Sequence, residues 1–317
     1  MPEIESKFVD YDLYSSFYSL VRQIPEGMVS TYGALARALG DVVAARACGY
    51  MLSINPDPVG TPCYKVVRAG GEVGKFTHPD GEREKVRRLN RDGVEILGDK
   101  ISDFASRFFD SYDSDHPLAS MKEEQEKMAS KVVKYDDFVE GDVAAVDVSY
   151  DDDLGYAAMV IDRKGELEVR KIVLPVRFPY IPGYLSYREF KFIKELTSDF
   201  RGILLIDGNG YLHPRRIGLA SFTGVMLDLP TIGVAKSILT GNVDGKWIYS
   251  KDERSAYIMN KKTIVSLGHR VTLDSAVGFL KSRYGERYPE LLRIAHNETV
   301  KLRKESKTEV DKAKVVC

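Results

Sequence analysis

Two apolar runs each carry one carboxylate where burial makes it costly. The first is Val143-Ala-Ala-Val-Asp147-Val-Ser149. The second is Gly202-Ile-Leu-Leu-Ile-Asp207, followed directly by Gly208-Asn209-Gly210. A short run with no polar alternation reads as a strand buried on both faces. A carboxylate in such a strand is expensive unless it is paired or bound to a cation. This part of the chain is therefore expected to be α/β, with a buried sheet that brings acidic groups to one point.

Around these runs, Ala157 to Asp162 and Glu168 to Leu174 read as strands that follow the first in a meander. Tyr187 to Leu196 has helical spacing. Glu189, at the start of that helix in Tyr-Arg-Glu-Phe, could complete an oxygen-rich site with Asp147 and Asp207. Mg2+ is held through few carboxylates plus water and substrate phosphate. Such a site activates water and stabilises the leaving oxygen in phosphodiester cleavage. Each Asp also has a plainer reading: Asp often ends strands, and Asp-Gly-Asn-Gly also fits a hairpin turn. Spacing alone leaves both readings open.

The first third of the chain has a different texture. Tyr11 to Arg22 places Leu13, Phe17, Leu20 and Val21 at helical spacing, and Ile24-Pro-Glu-Gly27 stops it. Ser30-Thr31 before Ala34-Leu-Ala-Arg-Ala-Leu39 is an N-cap signal. Gly40-Asp41 is a turn, and Val42 to Ser53 reads as a second helix. Two short helices around a Gly-containing turn read as a helix-turn-helix. Asn55-Pro-Asp-Pro58 ends the pair, Lys65 to Arg68 is strand-like, and Gly81 to Asp92 is a charged helix. Residues 98–118 lose periodicity, and Asp110 to Pro117 is rich in Asp and Ser, so the domain boundary is expected there. The expected organisation is 1–104, a linker at 105–116, and 117–317, which opens on a polar helix from Met121 to Val133.

Composition narrows the class further. Lys and Arg total 46 against 47 Asp and Glu, a net charge of −1, which excludes a uniformly basic nucleic-acid wrapper but not a local basic groove. The tail from Lys301 is modestly basic. Three cysteines, Cys48, Cys63 and Cys317, make no disulfide framework and suit a reducing, cytoplasmic setting. No apolar run approaches the ~18 residues of a membrane helix, and the acidic start is unlike a secretory signal.

Four long strings resemble endonuclease V: Phe178-Pro-Tyr-Ile-Pro-Gly-Tyr-Leu-Ser-Tyr-Arg-Glu189, Asp207-Gly-Asn-Gly-Tyr-Leu-His-Pro-Arg-Arg-Ile-Gly-Leu-Ala220, Leu229-Pro-Thr-Ile-Gly-Val-Ala-Lys-Ser237 and Arg293-Ile-Ala-His296. The resemblance covers nearly all of 118–300. It implies a ribonuclease H-like fold and Mg2+-dependent nicking of DNA 3′ to deaminated bases such as hypoxanthine, with Mn2+ as a substitute ion. By motif, Asp147, Glu189 and Asp207 are implied metal ligands. Lys236 offsets their charge, and His296 orients water. Tyr180 is implied as the wedge that replaces the displaced base. Gly183, Gly208 and Leu239 are implied to receive that base, and His213 to touch substrate. Taken singly, Tyr180 and the glycines read as a turn with a core aromatic. His269 reads as a structural histidine. Three departures stand out: Asn209 where His or Gln is frequent, Leu291-Leu292 before the last motif, and a short stretch from Gly241 to Gly268. Some relatives in that family prefer inosine in RNA.

Residues 12–97 resemble the helix-turn-helix domain of O6-alkylguanine-DNA alkyltransferase. The likeness lies in Ile24-Pro-Glu-Gly-Met-Val-Ser-Thr-Tyr-Gly-Ala-Leu-Ala36, Ala45-Arg-Ala-Cys-Gly49, Asn55-Pro56 and Pro62-Cys63. A free Cys is more often a buried small hydrophobe than a nucleophile, but the resemblance makes Cys63 the alkyl acceptor. Arg46 would then fill the base stack, Tyr32 would press the target phosphate, Asn55 would brace the turn, and Phe76 and Thr77 would close over the base. Gly49 lets the helix approach the groove, and Cys48 reads as packing. Tyr64 stands where the family has a proton-relaying His. Related alkyltransferase-like proteins only bind the lesion, so a lesion sensor is the alternative for this half. Asp92 is the candidate partner of residue 64. The expected partner of the whole chain is double-stranded DNA carrying alkylated or deaminated bases.

Overall fold

The computed structural model describes residues 6–138, 141–151, 153–250 and 252–315, with side chains to residue 308, so Cys317 lies outside it. The chain divides into two compact units. One is Asp12–Glu123 with Arg177–Pro182; the other joins Met1–Tyr11, Glu124–Val176 and Gly183–Cys317. No described helix is long and apolar enough to cross a membrane.

The first unit is mostly helical. Helix α1 (Leu13–Arg22) begins where Asp12 accepts the Ser15 N–H, and it buries Leu13, Phe17, Leu20 and Val21 as the periodicity predicts. Strand β1 (Ser30–Thr31) leads into α2 (Tyr32–Leu39), and Thr31 Oγ1 accepts the Ala34 N–H as its N-cap. Gly40 ends α2 at φ 103°, where an added Cβ would stand 2.6 Å from the Ala119 nitrogen. Left-handed backbone with no room for a Cβ requires glycine. The predicted second helix is divided: a 3-10 turn at Val42–Ala44 precedes α3 (Ala45–Ser53). The strand-like stretch shrinks to β2 (Val66–Val67), parallel to β1. Helix α4 (Gly81–Arg91), the hairpin β3 (Ile96–Leu97) and β4 (Lys100–Ile101), and α5 (Phe104–Arg107) follow.

Residues beyond α5 lie against this unit. Phe109 N donates to Val29 O, Tyr112 Oη to Ser30 Oγ, and Ser114 Oγ to Ala38 O. Helix α6 (Pro117–Ala129) starts at a proline, which suits a first-turn position lacking an intrahelical acceptor. The division between units falls within it, between Glu123 and Glu124.

The second unit is built on a nine-stranded mixed sheet. Strands β5 (Val143–Asp151), β6 (Leu154–Arg163) and β7 (Glu166–Pro175) form the antiparallel meander read from the sequence. Helix α7 (Leu185–Leu196) crosses to β8 (Ile203–Asp207), which runs parallel to β5. Asp207-Gly-Asn-Gly is therefore not a hairpin turn; it leads to α8 (Leu219–Leu227) and on to β9 (Thr231–Ala235), again parallel to β8. Strands β10 (Asn242–Asp244), β11 (Trp247–Ser250), β12 (Glu253–Asn260) and β13 (Thr263–His269) complete the order β10-β11-β12-β13-β9-β8-β5-β6-β7. Helices α9 (Leu273–Tyr284) and α10 (Glu290–Val315) end the chain. Ala144, Val146, Leu204 and Ile206 pack with Phe192 and Ile193 of α7 in the core. Because side chains alternate along a strand, Asp147 and Asp207 turn to the opposite face.

Candidate functional site

In the sheet unit, parallel register aligns the two aspartates. Val146 pairs with Ile206, so Asp147 and Asp207 are the next residues on neighbouring strands, about 5 Å apart in the pairing direction. Asp147 meets α10, where His296 Nδ1 lies 3.1 Å and Thr299 Oγ1 3.2 Å from its Oδ2. Glu189 enters from α7 and accepts the Tyr150 hydroxyl at 2.9 Å. The Arg188 guanidinium lies 3.9 Å over the Tyr150 ring. Asp207 accepts Lys236 Nζ and, at 3.2 Å, the Tyr288 hydroxyl.

The Asp207 charge acts on both other carboxylates, and the Asp147 charge acts on Glu189. Burial pushes the Glu189 carboxyl up to about 8, with the Asp147 and Asp207 charges adding to the rise and Tyr150 opposing it. Burial, then the Asp207 charge, raises the Asp147 carboxyl, against His296 and Lys236. Among the described residues no group of three or more His, Cys, Asp or Glu stands close enough to close on a metal ion. Each carboxylate instead rests on its own hydrogen-bond partner. The donor set nonetheless fits a hard cation: all-oxygen, partly buried and mutually repulsive, so that a divalent ion would relieve the repulsion. Sequence reasoning did not single out Tyr150, Tyr288 or Thr299. Thr299 lies one turn from His296 on α10, and that i,i+3 spacing was the available signal.

Gly208 directly follows Asp207, and a Cβ there would touch Leu219 at 3.3 Å. Leu239 is exposed in the loop after β9. Gly183 has φ 81°, and its carbonyl accepts from Gln125 and Arg215. His213 is buried, and burial pushes its imidazole down to about 3. Its Nδ1 accepts the Arg215 N–H at 3.2 Å. His269 is also buried and accepts the Val133 N–H, consistent with a structural histidine. Asn209 Oδ1 is buried without a hydrogen-bond partner.

In the helical unit, Cys63 is buried at the start of a 3-10 turn, Cys63–Lys65. Its N–H donates to Thr61 O at 2.8 Å, and Asn55 Nδ2 donates to the same oxygen at 3.1 Å. Asn55 thus braces the strand of chain that enters the cysteine. Tyr64 donates its hydroxyl to Asp92 Oδ2 at 2.9 Å, and Lys65 Nζ lies 3.6 Å from the same atom. The Arg88 guanidinium lies 5.8 Å from the Tyr64 ring and 5.5 Å from the Phe76 ring. Phe76 stacks on His78, and Thr77 is exposed between them. Arg46 is exposed on α3. Tyr32, half-buried, has its ring 3.7 Å from where a Cβ on Gly49 would stand. Tyr180 belongs to this unit and is 62% exposed. Cys48 is fully buried, and burial pushes its thiol up to about 12, which suits packing rather than chemistry.

Lys85 was missed by sequence reasoning. It is 1% exposed on α4, and its Nζ donates to Val66 O at 2.6 Å. Burial pushes its ammonium down to about 8, while the Cys63 and Glu82 charges pull it up and Arg68 pushes it down. Lys85, Leu89 and Asp92 share one helix face at i, i+4 and i+7, a pattern that the surrounding charged residues concealed.

Comparison with known proteins identifies both halves. The family Endonuclease V matches residues 126–297, and the 6-O-methylguanine DNA methyltransferase DNA binding domain matches residues 12–94. A mixed sheet edged with carboxylates and a helical domain holding Cys63 at the start of a 3-10 turn thus define a nuclease joined to an alkyltransferase domain. A bifunctional methyltransferase/endonuclease of Picrophilus torridus is 50% identical over 293 residues, covering 92% of this chain and 97% of that one. One from Thermoplasma volcanium is 45% identical over 292 residues, covering 92% and 91%. Ciona intestinalis endonuclease V, solved with a 23mer DNA containing an inosine followed by a ribo-adenosine, aligns with TM-score 0.55 and 26% identity, covering 61% of this chain and 99% of that one. The chain belongs to the bifunctional methyltransferase/endonuclease family, with an endonuclease V domain as its second part.

Proposed function

We propose that the chain repairs DNA by two separate reactions, one in each unit. In the helical unit, Cys63 Sγ attacks the alkyl carbon of O6-alkylguanine as a thiolate. The sulfur–carbon bond forms, the carbon–oxygen bond breaks, and the guanine oxygen leaves with the electron pair and takes up a proton. The product is S-alkylcysteine, so each chain turns over once. The buried ammonium of Lys85, on which the Cys63 charge acts, offsets the negative charge of the attacking sulfur. Arg46 fills the vacated stack, Tyr32 presses the phosphate, Asn55 holds the entry to Cys63, and Phe76 and Thr77 cover the extruded base.

In the sheet unit, the chain nicks DNA 3′ to a deaminated base such as hypoxanthine. Asp147, Glu189 and Asp207 would hold Mg2+, or Mn2+ in its place, which supplies water activation and stabilisation of the leaving oxygen. Lys236 offsets the acidic cluster and the charge of the transition state. His296, with its side chain 52% exposed and its Nδ1 on Asp147, orients the attacking water. Tyr180 occupies the stack left by the base, which Gly183, Gly208 and Leu239 receive. His213 holds the Arg215 backbone.

The observation that carries the nuclease reading is the parallel register that sets Asp147 beside Asp207, whose charge adds to the burial that raises both Asp147 and Glu189. The test supplies the full chain with duplex DNA bearing either methyl-labelled O6-methylguanine or hypoxanthine. The expected result is label on Cys63 without added metal, and nicking that EDTA abolishes. Nicking in EDTA would overturn the metal assignment. A second reading of the helical unit, as a lesion sensor, is favoured by Tyr64, which donates its hydroxyl hydrogen bond to Asp92 rather than serving Cys63. Lesion binding with no label on Cys63 would select it. Competition between hypoxanthine DNA and inosine RNA decides whether the nuclease prefers RNA.

A further inference from the structure

Gln125 and Arg215 have no role in either reaction as argued so far, yet they meet on one atom. Gln125 lies on α6 and is 0% exposed. Its Nε2 donates to the Gly183 carbonyl at 3.1 Å, and its Oε1 accepts Arg215 Nε at 2.6 Å. A guanidinium nitrogen of Arg215 donates to the same Gly183 carbonyl. The Arg215 guanidinium also lies 4.6 Å over the Tyr184 ring. His213 Nδ1 accepts from Arg215 N. Gly183 itself is left-handed at φ 81°, with no space for a Cβ, which would stand 2.9 Å from an Arg215 nitrogen.

A half-buried carbonyl such as that of Gly183 is satisfied by one donor. Here a charged donor and an amide converge on one oxygen and bond to each other, a closed set that fixes the orientation of a single peptide plane. Charge-assisted bonds of this kind are stronger than neutral ones, and their forked geometry restricts rotation as well as distance. The plane they fix directly follows Tyr180-Ile181-Pro182 in the sequence and leads into α7, which carries Glu189.

We propose that Gln125 and Arg215 are positioning residues for nicking. They lock the Gly183 carbonyl, so that the segment ending in Pro182 re-enters α7 through a preset turn when the base is extruded. A turn that is already ordered loses less conformational freedom on meeting the flipped nucleotide. This rests on the reading of Tyr180 and Gly183 as the residues that displace and receive the base.

The test is single-turnover nicking by the full chain with Mg2+ on two substrates, hypoxanthine paired in a duplex and hypoxanthine unpaired in single-stranded DNA. An unpaired base is extruded at least cost, so a positioning defect should show on the first substrate and fade on the second. Gln125→Leu removes both amide contacts. It should slow nicking of the duplex about tenfold to a hundredfold, the range expected of a small misplacement remote from the chemistry, with a much smaller effect on the unpaired substrate. Arg215→Lys keeps the charge but not the fork, and should show the same substrate split more weakly. Methyl transfer to Cys63 and the melting temperature serve as controls for folding. Equal slowing on both substrates by both variants, or no slowing, would overturn the proposal. A wild-type chain that nicks neither substrate would overturn the nuclease reading and this proposal with it.

Discussion

Tyr64 donates its hydroxyl hydrogen to Asp92 Oδ2 at 2.9 Å. Burial, and then that bond, push the phenol up to about 12. At neutral pH Tyr64 therefore keeps its proton and cannot relay one from Cys63, which is where the chain departs from the His-containing pattern. Tyr64→His puts an imidazole that titrates near pH 6.5 next to a carboxylate already in reach. Methyl transfer at pH 7, followed as label on the protein, should then run about tenfold or more faster, the lower range of general acid–base effects. Unchanged or slower transfer by a folded variant would remove the relay argument.

Lys85 is a buried cation whose titration responds to the Cys63 charge. Lys85→Met removes it and leaves an apolar group of similar length. The variant should transfer methyl more slowly near neutral pH, by about tenfold for about 1.4 kcal/mol of lost charge interaction, while Lys85→Arg retains most of the rate. Nicking of hypoxanthine DNA by either variant should equal wild type. If Lys85→Met transfers methyl at the wild-type rate, the lysine is structural.

His213 makes stability depend on acid. Its folded-state pKa, about 3, lies below the ~6.5 of an unfolded histidine. As pH falls from about 6.5 toward 3, the unfolded chain takes up a proton that the folded chain refuses, so stability drops across that window and is fully present above it. At pH 5 this one group costs about 2 kcal/mol. His269, pushed down to about 4, adds a similar loss. Denaturant melts at pH 7 and pH 5 should show a smaller acid loss for His213→Gln than for wild type. Equal losses would mean that the imidazole is protonated in the folded state.

Tyr180→Ala removes an exposed ring worth ~1–3 kcal/mol in base stacking. Affinity for hypoxanthine duplex should fall by that amount while affinity for undamaged duplex holds. Equal affinity of variant and wild type for the lesion would assign the ring another task.

Much of this was legible in the chain because local rules agreed with the fold. Thr31 caps α2 as its place before the Ala/Leu run demands, whereas α1, read from Tyr11, starts two residues later behind its Asp12 cap. The unbroken apolar runs before Asp147 and Asp207 announced β5 and β8. Other parts carried no local signal. Helix α8 is buried on nearly every side from Leu219 to Val225, so it lacks the polar stripe that reveals a surface helix. The Val42–Ala44 turn interrupts a helical pattern with no glycine or proline to mark it. Gln125 sits among Glu123, Glu124 and Glu126 on a polar helix, and only packing distinguishes it from its neighbours. Arg215 lay within a matched string, but its partner on Gly183 is remote in sequence. Lys85 was hidden in a charged helix because burial of a cation depends on what the other face meets.

The central claim is that one chain carries two chemistries at two separate sets of residues, Cys63 in one unit and the Asp147–Glu189–Asp207 carboxylates in the other. It is tested most directly by crossing Cys63→Ala and Asp147→Ala against both activities in one series with Mg2+. Cys63→Ala should take up no methyl label and nick hypoxanthine DNA as wild type does. Asp147→Ala should lose nicking by about a thousandfold or more, as removal of a catalytic metal ligand implies, and take up label at the wild-type rate and extent. Loss of both activities in either folded variant, or survival of the targeted activity, would contradict the account.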